Sequence, residues 1–384
     1  MRKLILLLLS VSILTSAAWT QQIIKGNADN GAIFEIIVPA NWNHQLVLYA
    51  HGIVDPQLPL SLPNDQLSLA LLQALPAQGF AVAASSFSEN GYAVKQGSRD
   101  TRHLGRIFER MVGKPAKTYL VGVSLGGLVV TDLTERFPTE YNGTLAMCGV
   151  EGGSQLEIEY VGNARVLFDF FFPGVLPGDL LHTPTLPYSP GTPTFNVVLA
   201  TLTDGLDPSK HPTLPTLQLA EVLGLEAKTP TEIVSGLVQV IGFDVRFVND
   251  VLRRTSHSNP FENAHFHYVG SLNDKQLNAS VDRFHEGEKA FRYMLENYQT
   301  KGDLRVKLLS LHTQRDPLVP FFHESVYAGL VAAHHETKNL VQQNVKHFGH
   351  CAFNASEVFN AFAGLVNWVN TGVKPPSGDV TAPQ

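Results

Sequence analysis

The chain has little of what several protein classes require. Asp, Glu, Lys and Arg together make up only 16% of it, the net charge is -6, and no basic cluster occurs. That balance excludes nucleic acid as the expected partner. Beyond the N-terminus, no run approaches the roughly 18 unbroken apolar residues that a membrane-spanning helix needs. Phosphate-binding glycine patterns and internal repeats are absent. His265 and His267 stand close together without a third ligand, and His334-His335 is no better, so neither a metal nor a cofactor is expected. Only two cysteines occur in 384 residues, so at most one disulfide can form.

The apolar content of 44% is enough for a substantial core. The length suits one α/β domain carrying an insertion. Arg2 and Lys3, the apolar stretch Leu4 to Leu14 and the small residues Ser16-Ala17-Ala18 read as a bacterial signal peptide over residues 1–18. The apolar stretch is too short to serve as a membrane anchor. A soluble protein, secreted or periplasmic and starting near Trp19 or Gln21, is expected. In such a compartment an even cysteine count suggests a disulfide.

The organising stretch is Thr118 to Asp132. A β-branched strand-like run, Tyr119 to Val123, enters Gly122-Val123-Ser124-Leu125-Gly126, and a helix-compatible run leaves it. A sharp strand-to-helix turn of this kind lifts a serine Oγ above the end of a sheet. Gly122 and Gly126 remove side chains where the two backbones would collide. The Leu125 amide then lies at a helix N-terminus, aimed where an oxyanion would develop.

Around this turn the spacing predicts strands at Ile23–Lys25, Ala32–Val38, Leu46–Ala50, Phe80–Ala84, Thr144–Cys148, Val306–His312 and Asn344–Phe348. Helical periods fall at Asp65–Gln78, Arg102–Val112 and Ser356–Asn370. Asn30-Gly31 marks a hairpin between the first two strands. The alternation makes a mostly parallel sheet the economical architecture. Between residues 151 and 299 the rhythm is lost, with proline and glycine frequent from Pro173 to Pro215 and helical segments afterwards.

Together these features resemble the α/β-hydrolase superfamily over most of the chain. The resemblance implies a twisted, mostly parallel sheet flanked by helices, formed by residues 19–150 and 300–373. A large, mainly helical cap would span residues 151–299, and residues 374–384 would be a flexible tail. It further implies that Asp316, in the loop after the next-to-last strand, orients His350, in the loop after the last strand. The chain order Ser124, Asp316, His350 is the superfamily's order. The oxyanion hole would combine the amide of Leu125 with that of Gly52 or Ile53, from the His-Gly turn after the third strand. Cys148 and Cys351 would then face the same end of the sheet, within bridging distance or as two buried thiols. Tannase-like and feruloyl-type esterases also bridge a cysteine adjoining the histidine, but to one adjoining the serine, where this chain has Val123.

Substrate-lining candidates are His51, Tyr92 in the loop Ser85–Gln96, and Phe170 and Phe171. The phenylalanines serve equally well as cap core. The expected activity is cleavage of a small-molecule or polymeric carboxylic ester through an acyl-enzyme. A peptidase with the same triad and a binding protein on a disabled scaffold are the alternatives. Oligomeric state is not legible.

Overall fold

The computed structural model describes residues 20–382; the expected signal peptide lies outside the described residues. The chain opens with a hairpin of β1 (Gln22–Asn27) and β2 (Ile33–Val38), closed where Gly31 takes φ 87°. Strands and helices then alternate through β3 (Gln45–Ala50), α1 (Gln66–Ala77), β4 (Ala81–Ser85), α2 (Val94–Met111), β5 (Lys117–Val123), α3 (Leu125–Arg136) and β6 (Gly143–Met147). Helices without strands follow: α4 (Ser154–Phe171), α5 (Pro193–Asp204), α6 (Pro215–Leu223), α7 (Pro230–Arg254), α8 (Asp274–Ser280) and α9 (Glu288–Asn297). The alternation resumes with β7 (Lys307–Arg315), α10 (Phe322–Ala333), β8 (Leu340–Phe348), α11 (Ala355–Thr371) and β9 (Gly378–Asp379).

Among the described residues, nine strands form one sheet in the order β1-β2-β4-β3-β5-β6-β7-β8-β9. β1, β2 and β4 pair antiparallel, and every pair from β4·β3 onward is parallel. β5 lies centrally, and its side chains divide between two apolar cores. Tyr119, Val121 and Val123 enter the core under α1 and α11, while Leu120 enters the core shared with α2, α3 and the inserted helices. A strand covered on both faces reads as a continuous apolar run, which is why β5 shows no polar alternation.

Three details depart from the sequence reading. The C-terminal segment is not a free tail: β9 pairs in parallel with β8, and the Gln343 amide donates to the Pro376 carbonyl at 2.9 Å. Helix α2 begins at Val94 and consumes the end of the expected loop, because Gly97 lets it press onto α3. A Cβ at Gly97 would lie 2.9 Å from Val129. Helix α7 runs unbroken for 25 residues through Glu232–Val240 and Asp244–Arg253, which the sequence presents as two separate helical segments.

Candidate active site

Ser124 sits between β5 and α3 with φ 56° and ψ -123°, a left-handed backbone state that costs a non-glycine residue on the order of 1–3 kcal/mol. Its surroundings hold it there. The Ser124 amide donates to the Met147 carbonyl of β6 at 2.9 Å, and the Gly127 amide donates to the Ser124 carbonyl at 2.8 Å. A Cβ on Gly122 would lie 2.1 Å from the Gly126 carbonyl oxygen. One on Gly126 would lie 2.1 Å from the carbonyl oxygen of Ala50. The turn therefore depends on three backbone segments touching, and only glycine permits that.

His350 follows β8 and Asp316 follows β7. His350 Nδ1 lies 2.7 Å from Asp316 Oδ2, and Nε2 lies 2.8 Å from Ser124 Oγ. Asp316 is buried, and its other oxygen accepts from the amides of Leu318 at 2.9 Å and Val319 at 3.0 Å. A carboxylate held this way accepts a hydrogen bond from Nδ1–H, which leaves Nε2 bare toward the serine hydroxyl. Arg315 does not compete for Asp316. Its guanidinium turns to Glu232 on α7, with Nη1 2.8 Å from both carboxylate oxygens.

Gly52 presses against the serine: a Cβ there would lie 3.3 Å from Ser124 Cβ. Among the described residues, the amides of Gly52, Ile53 and Leu125 have no hydrogen-bond acceptor. Leu125 opens α3, so its N–H belongs to the unsatisfied first turn of a helix. Donors without acceptors thus adjoin the serine in sequence, on Leu125, and in space, on Gly52, and such amides can receive a negative oxygen.

Cys148 and Cys351 form a disulfide with Cα atoms 5.3 Å apart. It joins the end of β6 to the residue after His350, and Cys351 Sγ lies 3.4 Å from His350 Nε2. Other histidines are occupied or remote. His347 pairs with Glu357 at 3.0 Å, and His334 and His335 are exposed at the end of α10.

The substrate-lining candidates fare differently. The His51 ring is buried, stacked on Phe87 with centroids 3.9 Å apart, and its Nδ1 donates to the Gly52 carbonyl at 2.6 Å. Burial lowers its pKa, so it is a neutral strut for the turn and not a pocket wall. Tyr92 is also buried: its amide donates to Asp250 Oδ2 at 2.7 Å and its hydroxyl to Ser154 at 3.0 Å. It fixes the loop beneath α4 and α7, and burial pushes its phenol well above the usual value. Phe170 and Phe171, half-buried at the end of α4, meet edge to face at 5.0 Å and pack against the apolar core. They are core residues of the helices between β6 and β7.

Residues from the inserted helices support the acid loop, and no spacing in the sequence pointed to them. Tyr160 on α4 donates to the Pro317 carbonyl at 2.9 Å. Gly236 on α7 packs so closely on Pro317 that a Cβ would lie 2.9 Å from its ring. The far side of α7 lines a cavity of about 830 Å³ with Val234 and Val238, facing Tyr188, Phe195 and Leu199. None of Ser124, Asp316 and His350 lines that cavity.

No protein-family model matches the chain, and no curated sequence does either. Solved structures do. The crystal structure of an esterase from Aspergillus oryzae is similar at 15% identity and TM-score 0.51, over 92% of this chain and 80% of that one. Feruloyl esterase B from Aspergillus oryzae is similar at 18% identity and TM-score 0.49, over 92% of this chain and 82% of that one. An acylaminoacyl peptidase from Pyrococcus horikoshii is similar at 9% identity and TM-score 0.45, over 93% of this chain and 42% of that one. At such identities the likeness is one of fold. This chain has the α/β-hydrolase fold: a mostly parallel sheet flanked by helices, with a serine at the turn after its central strand.

Proposed function

We propose that this protein is an exported serine hydrolase that cleaves carboxylic esters. The observation that carries the reading is the unbroken chain from Ser124 Oγ through His350 to Asp316, at 2.8 and 2.7 Å, behind a serine held in a strained backbone state. His350 Nε2 takes the hydroxyl proton as Oγ attacks the ester carbonyl. Asp316 keeps the imidazole in its Nδ1–H tautomer and stabilises the imidazolium that forms. The negative oxygen of the tetrahedral intermediate receives the Leu125 amide and that of Gly52 or Ile53. His350 then protonates the departing alcohol. Water, deprotonated by the same nitrogen, releases the acid and restores Ser124.

Residues 151–299 act as a cap whose α4 and α7 brace the acid loop. Export is supported by the N-terminal signal and by the disulfide, which persists in oxidising compartments. No helix of the described residues is long and apolar enough to cross a membrane.

The test is hydrolysis of p-nitrophenyl esters of increasing acyl length by the mature protein and by Ser124→Ala. The variant loses on the order of 10⁶-fold in kcat while its circular dichroism and melting stay those of the parent. A fluorophosphonate probe labels the parent and spares the variant. Equal turnover by both proteins would sink the assignment of Ser124.

A further inference from the structure

Behind the acid loop lies a closed polar chamber that the proposed ester chemistry does not use. Glu151 follows β6, His312 is on β7 and Glu324 is in the first turn of α10, and their relative exposures are 0%, 0% and 3%. One donor atom from each of the three lies within 4.8 Å of the other two. We propose that Glu151, His312 and Glu324 bind a divalent cation of the zinc class.

The hydrogen bonds around the chamber decide what faces inward. His312 Nε2 donates to the Val319 carbonyl at 2.9 Å. That bond leaves Nδ1 as the nitrogen facing the two carboxylates, the place of the ligating nitrogen in a metal-bound imidazole whose other nitrogen is tied to a carbonyl. Glu324 Oε2 accepts from Ser310 Oγ and from Gln342 Nε2, each at 2.6 Å. Its Oε1 is left free, 3.2 Å from His312 Nδ1. Neither Glu151 oxygen has a hydrogen-bond partner, and the same holds for His312 Nδ1 and Glu324 Oε1. Against the cost of burial, Glu324 raises His312 to about 9, so without an ion its Nδ1–H faces Glu324 Oε1, and a cation at the site would displace that proton.

Two buried carboxylates converging on one imidazole are costly unless a cation or added protons sit among them. The spacing suits a cation. A tetrahedral centre with bonds of roughly 2.0–2.1 Å holds its ligand atoms about 3.3 Å apart, and the His312–Glu324 pair is at 3.2 Å. Two carboxylates and a neutral imidazole balance a doubly charged ion, and one nitrogen with two oxygens suits zinc. Glu151 can supply either one or both of its oxygens. The three ligands come from separate segments, so the ion would tie β6, β7 and α10 together. His312 Nε2 lies 3.9 Å from Asp316 Oδ2, so that tie sits directly under the proposed acid. The role is structural and does not depend on the esterase reading.

The test is to unfold the mature protein in guanidinium with EDTA under non-reducing conditions. It is then refolded with or without zinc chloride and desalted, and metal content and melting temperature are measured. About one zinc per chain is retained, and the zinc-refolded sample melts higher than the metal-free one. Zinc content falls roughly tenfold or more in Glu151→Gln and in His312→Gln. X-ray absorption at the zinc edge finds nitrogen and oxygen neighbours without sulfur. Less than about a tenth of an equivalent, with no change in melting, would overturn the site and leave the chamber to protons. Equal zinc in parent and variants, or sulfur at the metal, would overturn it too. If the variants do not fold, the parent's stoichiometry and absorption spectrum decide.

Discussion

In the sheet, the residues that set the site are glycines and a serine, and what holds them is backbone against backbone. In the helices between β6 and β7, the corresponding residues are buried arginines and aspartates. The Arg165 side chain on α4 is wholly buried; it donates to Asp169 and to Asp244 of α7, both at 2.8 Å. Asp250 accepts from Arg254 at 2.8 Å and from the Tyr92 amide at 2.7 Å, and Arg254 donates to the Asn90 carbonyl at 2.7 Å. These bonds seat α7 on the sheet domain. Apolar packing tolerates small exchanges of shape, but a buried ionic network loses much of its value when one member goes. The frame is therefore sensitive to added volume, and the insertion to lost charge.

That contrast can be tested from the largest effect downward. Gly126→Ala puts a methyl into the Ala50 carbonyl, and the expected result is loss of soluble protein, scored by expression and circular dichroism. Folded Gly126→Ala with parental melting would show that the close backbone contact is dispensable. Opening the disulfide, by reductant or by Cys148→Ser with Cys351→Ser, removes a bridge between residues 203 apart. The chain-entropy cost is about 5 kcal/mol at most, read as a lower urea midpoint, and ester turnover falls with it because the His350 loop is released. Arg165→Met strands Asp169 and Asp244, at about 3 kcal/mol. Adding Asp244→Leu recovers part of that loss, whereas a purely steric role for Arg165 would show no recovery.

The smallest effect concerns pH. Burial, with Glu159 and Glu262 nearby, raises Glu286 to about 7. A carboxyl group raised in the folded state favours folding when protonated, so this contribution is present in acid and fades as pH rises toward 7. Melting measured at pH 5 and pH 8 should differ less for Glu286→Gln than for the parent. An identical difference in the two proteins would remove Glu286 from the account.

Much of the frame could be read directly because its constraints are local. Two glycines flanking a serine after a β-branched run admit few structures, and the family resemblance then pointed to Asp316 and His350, which lie in line behind Ser124. The insertion was harder to read, for identifiable reasons. Its prolines suggested irregular chain, yet Pro193, Pro215 and Pro230 each open a helix, the one helical position where a missing N–H costs nothing. Tyr92 looked like a pocket rim because a loop aromatic carries no sign of what covers it. The cover is α7, whose Asp250 lies far along the sequence. The Glu151–His312–Glu324 chamber was invisible for the same reason, since strand pairing, and not spacing, gathers its members.

The disulfide has a consequence for a chain that meets a protease. It closes a ring that contains every inserted helix, Asp316 and His350, with Ser124 outside it on the N-terminal side. A protease that nicks an exposed loop within the ring, such as the one around Phe266, makes two fragments that stay covalently paired. Serine and histidine would remain tethered at the same end of the sheet after such a cut.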